Sequence, residues 1–194
     1  MAEEPATAEP EHRRRLFEAR DLTMGGLFGA LSIIVPIVFH AVGMGRIFLP
    51  MYLPILALGL LASWEVALIV GCVAPLLSAL LTGMPPLAPP IVVLMMLELG
   101  AMATAASLVR CARWGIWPAA MLGVLAARTA GALALVTVLP LIGIHQNLPE
   151  YTAAAFVASL PGIVLLLTVV PGAVYAIERT SLIGRSEQEV LAGD

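Results

Sequence analysis

The chain has 194 residues, of which 60% are hydrophobic and only 12% charged, and its formal net charge is −3. A mean hydropathy of +0.99 lies far above that of a soluble domain and is typical of a polytopic membrane protein. The small net charge and the lack of a basic stripe in the sequence give no indication of a nucleic-acid partner. The length is that of one domain with about six membrane crossings, because each crossing needs ~20 apolar residues.

Polar and apolar segments divide the chain into a membrane domain and two tails. Residues 1–20 are polar and rich in Pro, Glu and Arg, which predicts a disordered cytoplasmic tail. Residues 21–179 form the predicted transmembrane domain, and residues 180–194 a second cytoplasmic tail. The predicted fold is therefore an all-α membrane protein with six transmembrane helices. The candidate spans are 22–41, 47–62, 66–81, 91–108, 116–139 and 152–177, of which the second and third are short for a full crossing.

The arginines set the predicted orientation of these spans. With six spans, eight arginines fall on one side of the membrane, which the positive-inside rule assigns to the cytoplasm. They are Arg13, Arg14, Arg15, Arg20, Arg110, Arg113, Arg179 and Arg185. Arg46 is the one arginine in a predicted outer loop. Both termini are therefore predicted to be cytoplasmic, in a multi-pass protein of the cell membrane.

Two of the three predicted outer loops are longer than either inner connection. The outer loops cover 43–46, 82–90 and 140–151, whereas the inner connections at 63–65 and 110–115 are short. Recognition chemistry is often carried by loops that a rigid scaffold positions. This pattern favours a protein that meets its ligand from outside.

Two ionisable residues, Glu98 and Arg128, lie within predicted spans. At 1.5 Å per residue, Glu98 lies about 10–12 Å from the outer end of span four, and Arg128 about 16–18 Å from either end of span five. A lone charge near the bilayer centre costs on the order of 3 kcal/mol or more, so both residues are expected to face the bundle interior. Two interpretations stay open, a structural ion pair or hydrogen bonds to a polar ligand. An unpaired Arg128 would favour an anionic ligand, and a Glu98–Arg128 pair a neutral or zwitterionic one.

Further polar side chains are predicted near the outer ends of the spans. His40 ends span one, and Arg46 follows in the first outer loop. His145, Gln146 and Asn147 give the last outer loop three adjacent hydrogen-bonding side chains. Each of these is individually explained by an interfacial or solvated position, but together they form a candidate substrate-binding set.

The cytoplasmic end of span one carries small residues at helical spacing. Gly25 and Gly29, and likewise Gly26 and Ala30, form small-xxx-small pairs, which allow another helix to approach closely. Ordinary internal packing and a partner interface are both compatible with this pattern.

The sequence lacks the usual catalytic signatures. It contains no HExxH or GxSxG motif, no acidic metal cluster and no nucleotide-binding P-loop. We therefore expect no enzyme activity, no cofactor, no metal site and no ATPase site in this chain.

Four segments carry a resemblance to a known family. They read FHAVG at 39–43, FLPMYLPIL at 48–56, APLLS at 74–78 and LTGMPP at 81–86. Together with six spans and inner termini, they resemble the substrate-binding S component of energy-coupling factor (ECF) vitamin transporters. The resemblance covers about residues 22–178. The subgroup that these segments resemble carries a histidine where this chain has Tyr52.

The resemblance implies a function and a set of partners. An S component of a prokaryotic cell membrane captures a vitamin or precursor from outside and docks on a transmembrane T component driven by two ATPase subunits. The docking face would be formed by the small residues Gly25, Gly26, Gly29 and Ala30. The ligand site would lie in the outer halves of spans four to six and in the outer loops, with the TGMPP segment as a gate. It would include Glu98, Arg128, Tyr52 and the loop at 145–147.

Two other functions are compatible with the same residues. One is a small stand-alone secondary transporter or channel in which Glu98 acts as a proton-linked carboxylate. The other is a membrane scaffold without transport activity, in which Glu98 and Arg128 are purely structural.

Overall fold

The computed structural model describes residues 19–41, 43, 49–86, 91–141, 143 and 159–192, with side chains up to residue 180. All regular secondary structure in these ranges is helical, which confirms the all-α prediction for the described part of the chain. In chain order the helices are α1 (Ala19–Ala41), α2 (Tyr52–Leu61), α3 (Trp64–Thr82), α4 (Ile91–Cys111), α5 (Ile116–Leu141) and α6 (Leu160–Ala192).

Five of the described helices are long and apolar enough to cross a membrane, namely α1, α3, α4, α5 and the Leu160–Thr180 part of α6. The second predicted span differs, because α2 has only 10 residues. A helix of that length is about 15 Å long, half of a ~30 Å hydrocarbon core. Proline limits the helix at its start, since Pro50 precedes it and Pro54 lies in its first turn, where no backbone donor is needed.

Helix α4 is the centre of the bundle. Its residues Leu99, Met102 and Ala103 are fully buried. Two glycines let neighbouring helices come within backbone contact of it. A Cβ added at Gly59 of α2 would lie 2.6 Å from the Ala103 carbonyl oxygen, and one added at Gly71 of α3 would lie 2.8 Å from the Leu99 carbonyl oxygen. The sequence thus selects glycine where α2 and α3 cross α4.

Apolar side chains also cover the outside of the bundle. Leu80, Leu133 and Val136 are each more than half exposed. Such a surface is suited to acyl chains rather than to water, because in a membrane the lipid tails are as apolar as the side chains that meet them. The described part of the chain is accordingly that of a helical membrane protein.

Polar contacts join the helices at the predicted cytoplasmic end. Arg110, near the end of α4, pairs with Glu178 of α6 at 2.5 Å. Ser107 of α4 donates a hydrogen bond of 2.8 Å to the carbonyl of Ala62, between α2 and α3. Helix α6 continues to Ala192, so most of the predicted tail at 180–194 is helical.

Candidate functional site

Three side chains from three helices meet inside the bundle. Arg128 Nη1 of α5 donates a hydrogen bond to Glu98 Oε2 of α4 at 3.0 Å. The Tyr52 hydroxyl, at the start of α2, donates to the same carboxylate oxygen. The Arg128 guanidinium carbon also lies 5.5 Å from the centroid of the Tyr52 ring, within the range of a cation–π interaction. We call these three residues the buried polar triad.

The buried faces of α4 and α5 bring the two charges together. Glu98 lies one turn from Leu94 and one turn from Met102, and all three are buried. Arg128 lies one turn from the buried Val124 on α5. Each charge therefore occupies a position that the helix turns toward its neighbours, as expected for ionisable residues within a bilayer.

The triad is both deeply buried and electrically neutral. Glu98 is 4% exposed and Arg128 is 5% exposed, so neither charge is hydrated from bulk solvent. The ion pair compensates most of the cost of burying two charges, and the Tyr52 hydroxyl satisfies a further part of the carboxylate. One donor is unused, because Arg128 Nε has no hydrogen-bond partner among the described residues.

A cavity of about 740 Å³ opens beside the triad at the predicted outer end. Its size lies within the range of small-molecule sites. It is bounded by the ends of α1 and α3 and the starts of α2 and α4. The residues that line it are Pro36, His40, Leu49, Pro50, Met51, Tyr52, Gly83, Met84, Pro85, Pro86, Ile91 and Met95. Tyr52 belongs both to this lining and to the triad, whereas Glu98 and Arg128 do not line the cavity, so Tyr52 connects the cavity with the ion pair.

Side-chain hydrogen bonds hold one wall of the cavity in place. Gly83 ends α3 with a φ of 71°, a left-handed conformation that glycine adopts without strain. The buried Ser78 hydroxyl donates to the Met84 carbonyl at 2.7 Å, and the Met84 N–H donates to the Thr82 hydroxyl oxygen at 3.2 Å. Segment 83–86 is thereby fixed to the end of α3.

His40 contributes a polar ring to the cavity rim. Its Nδ1 lies 2.8 Å from the Pro36 carbonyl oxygen, one turn earlier on α1. Because a carbonyl only accepts, Nδ1 must carry the hydrogen. In the neutral imidazole, Nε2 is then a hydrogen-bond acceptor.

The structure brings together part of the predicted substrate-binding set. Tyr52, Glu98 and Arg128 are in contact, and His40 lies on the cavity that Tyr52 lines. Arg46, His145, Gln146 and Asn147 lie outside the described residues, and their roles stay predictions. The resemblance implied a site in the outer halves of spans four to six and in the outer loops, with the TGMPP segment as a gate. The described cavity is bounded by the ends of α1 to α4 and includes residues 83–86 of that segment.

Apart from the TGMPP segment, the apolar lining residues were not singled out in the sequence. Met95 lies on α4 and faces the cavity, but its residue type is also common on lipid-facing surfaces. The sequence pointed to these lining residues only through the family resemblance, since segments 49–52 and 83–86 belong to the stretches that carry it.

The small residues of α1 point in two directions. A Cβ added at Gly25 would lie 2.9 Å from Val66 Cγ1 of α3, and one added at Gly29 would lie 3.5 Å from a Val70 methyl. Gly26 has no atom within 4 Å of its virtual Cβ in the described structure. Gly25 and Gly29 therefore serve packing within the chain, and the outward face of α1 is carried by Gly26 and the exposed Ala30.

This chain matches no protein-family model, no curated protein and no solved structure.

Proposed function

We propose that this chain is the substrate-binding S component of an ECF-type vitamin transporter. In this role it captures a vitamin or vitamin precursor at the outer face of a prokaryotic cell membrane. A separate T component and two ATPase subunits then supply the energy for uptake. The chain itself performs binding and not catalysis.

One observation carries the proposal, namely the convergence of the resembling segments on a single cavity. His40 belongs to the first segment, 49–52 to the second and 83–86 to the fourth, and all of them line the cavity. Ser78 of the third segment binds the Met84 carbonyl and so fixes one wall. Residues that are far apart in sequence thus surround a space of a size suited to a small molecule.

The polar triad supports a binding role for the same space. An apolar cavity with a few fixed polar groups is the usual composition of a small-molecule site. Here Tyr52 provides the polar wall, and its hydroxyl is oriented by Glu98. Because both ends of the ion pair are held on rigid helices, the wall is organised before a ligand arrives.

The outward face of α1 supports docking on another membrane helix. Gly26 and Ala30 present little side-chain volume there, so a partner helix can approach the α1 backbone closely. Gly25 is already in contact with α3 and is not part of the free face.

The test is co-expression of the tagged chain with a T component and two ATPase subunits of the ECF type. We expect a stable complex and ATP-dependent uptake of the bound compound in liposomes. Gly26→Leu should retain the compound but lose uptake, and Ala41→Leu, at the opposite end of α1, is the matched control that should keep both. Lack of any complex, or full uptake by Gly26→Leu, would contradict the proposal.

The same liposomes separate the two other functions. Transport driven by an ion gradient without ATP would identify a secondary transporter or channel. A scaffold would carry no bound compound and would transport nothing under either condition. Its role in cells would also survive joint replacement of Glu98 and Arg128 by apolar residues.

A further inference from the structure

The charge balance of the triad determines which ligands the cavity can accept. Arg128 carries one positive charge, Glu98 carries one negative charge, and the Tyr52 phenol is neutral, so the group behind the cavity wall has no net charge. Resting on the proposed binding function, we infer that the cavity takes a neutral, mainly apolar molecule with an amide-type hydrogen-bonding group and discriminates against carboxylates.

The positive charge of Arg128 is not available to an anion in the cavity. Glu98 lies 3.0 Å from Nη1, and Tyr52 rather than the pair lines the cavity. Repulsion of an incoming carboxylate by Glu98 therefore offsets its attraction to Arg128. To bind Arg128 directly it would have to displace both Glu98 and the Tyr52 hydroxyl.

Among the described residues, the remaining lining gives an anion no other compensating charge. Apart from His40 and Tyr52, every described lining residue has an apolar side chain or none. Transfer of a carboxylate from water to such surroundings is far less favourable than transfer of an amide. The amide loses only hydrogen bonds to water, whereas the carboxylate also loses the hydration of its charge. The methionines at 51, 84 and 95 add adaptable, polarisable surface that suits a ring or a branched aliphatic group.

His40 favours a donor on the ligand. Because Nδ1 is held by the Pro36 carbonyl, Nε2 of the neutral imidazole accepts hydrogen bonds at the cavity rim. An amide N–H satisfies this acceptor, whereas a carboxylate has no hydrogen to donate and meets the ring lone pair. His40 at the rim and the neutral triad at the wall thus both favour a neutral ligand over an anion.

The test compares two probes that differ in one group, indole-3-acetamide and indole-3-acetate. Thermal-shift titrations use the full chain in detergent at about pH 8, where the probe acid is ionised. We expect the amide to bind at least tenfold more tightly than the acetate, which corresponds to about 1.4 kcal/mol. Glu98→Gln leaves the Arg128 charge uncompensated and should invert this order.

A matched control makes the result specific to the triad. Glu178→Gln breaks the ion pair with Arg110 at the predicted cytoplasmic end and should leave the probe order unchanged. If Glu98→Gln does not fold, the probe order in the unmodified chain decides alone.

Equal affinities, tighter acetate binding, or no binding of either probe would overturn the inference. Failure of this inference and failure of the proposed function give different results. If the chain forms a complex with the T component and the ATPases but does not prefer the amide to the acetate, only the inference is refuted. If the amide binds more tightly than the acetate but no such complex forms, the proposed function is refuted and the inferred ligand preference stands.

Discussion

The strongest energetic prediction concerns removal of the charges at positions 98 and 128, singly and together. Glu98→Gln removes the negative charge beside a guanidinium that is 5% exposed, and Arg128→Met removes the positive charge beside a carboxylate that is 4% exposed. Removal of one partner of a buried pair costs about 3–5 kcal/mol, because the remaining charge is neither hydrated nor paired. The double replacement leaves no charge and should be within about 1 kcal/mol of the unmodified chain.

The geometry gives a similar magnitude for the interaction itself. The nitrogen and oxygen are 3.0 Å apart, which places the two charge centres about 4 Å apart. At an effective dielectric constant of ~20, two unit charges at that separation interact by about 4 kcal/mol. For a chain of this size, 1 kcal/mol shifts the melting temperature by about 2–4 °C. Each single variant should therefore melt roughly 6–20 °C lower, and the double variant within about 4 °C of the unmodified chain.

The assay is thermal unfolding of the four proteins in one detergent, analysed as a double-mutant cycle. The pair Arg110–Glu178 is the matched control, because its side chains are 26% and 38% exposed and its coupling should stay below about 1 kcal/mol. Additive losses at positions 98 and 128 would refute the reasoning, since they would mean that the two charges do not depend on each other.

Three further predictions test the packing and the topology. Gly59→Ala should destabilise the bundle by more than about 2 kcal/mol in thermal unfolding, because its Cβ would lie 2.6 Å from a backbone oxygen of α4. Gly25→Leu should lower the melting temperature because it meets α3, whereas Gly26→Leu should leave it unchanged, and equal effects would contradict the assigned faces of α1. A membrane-impermeant maleimide should label the exposed Cys111 in inside-out vesicles but not in intact cells, with Cys72 unreactive in both, and labelling in intact cells would contradict the predicted orientation.

The positions of the long helices follow closely from the sequence. The predicted spans 66–81, 91–108 and 116–139 lie within α3, α4 and α5, because each apolar run is bounded by charge, glycine or proline. The predicted span 47–62 is longer than α2. Its hydrophobicity is evident from the sequence, but the start of the helix after Pro50 is not. The last predicted span began at 152, whereas the described part of α6 begins at Leu160.

The site was only partly predictable from residue types. The proximity of Glu98 and Arg128 followed from their depth in adjacent spans, but their pairing did not. A helix that is apolar on all sides does not reveal from its pattern which face meets which neighbour. For the same reason Met95, on the cavity, and Leu97, which is 38% exposed, could not be distinguished before the helices were packed. The bond from Tyr52 to Glu98 depends on the crossing of α2 and α4.

The binding claim is tested most directly by mass spectrometry of small molecules released from the purified, detergent-solubilised chain. Met95→Trp fills the cavity from α4, and Leu80→Trp adds the same bulk at a position that is 62% exposed on α3. We predict one vitamin-like compound in the unmodified chain and in Leu80→Trp, and its loss from Met95→Trp. The same released molecules from all three proteins, or none from any of them, would contradict a ligand site in this cavity.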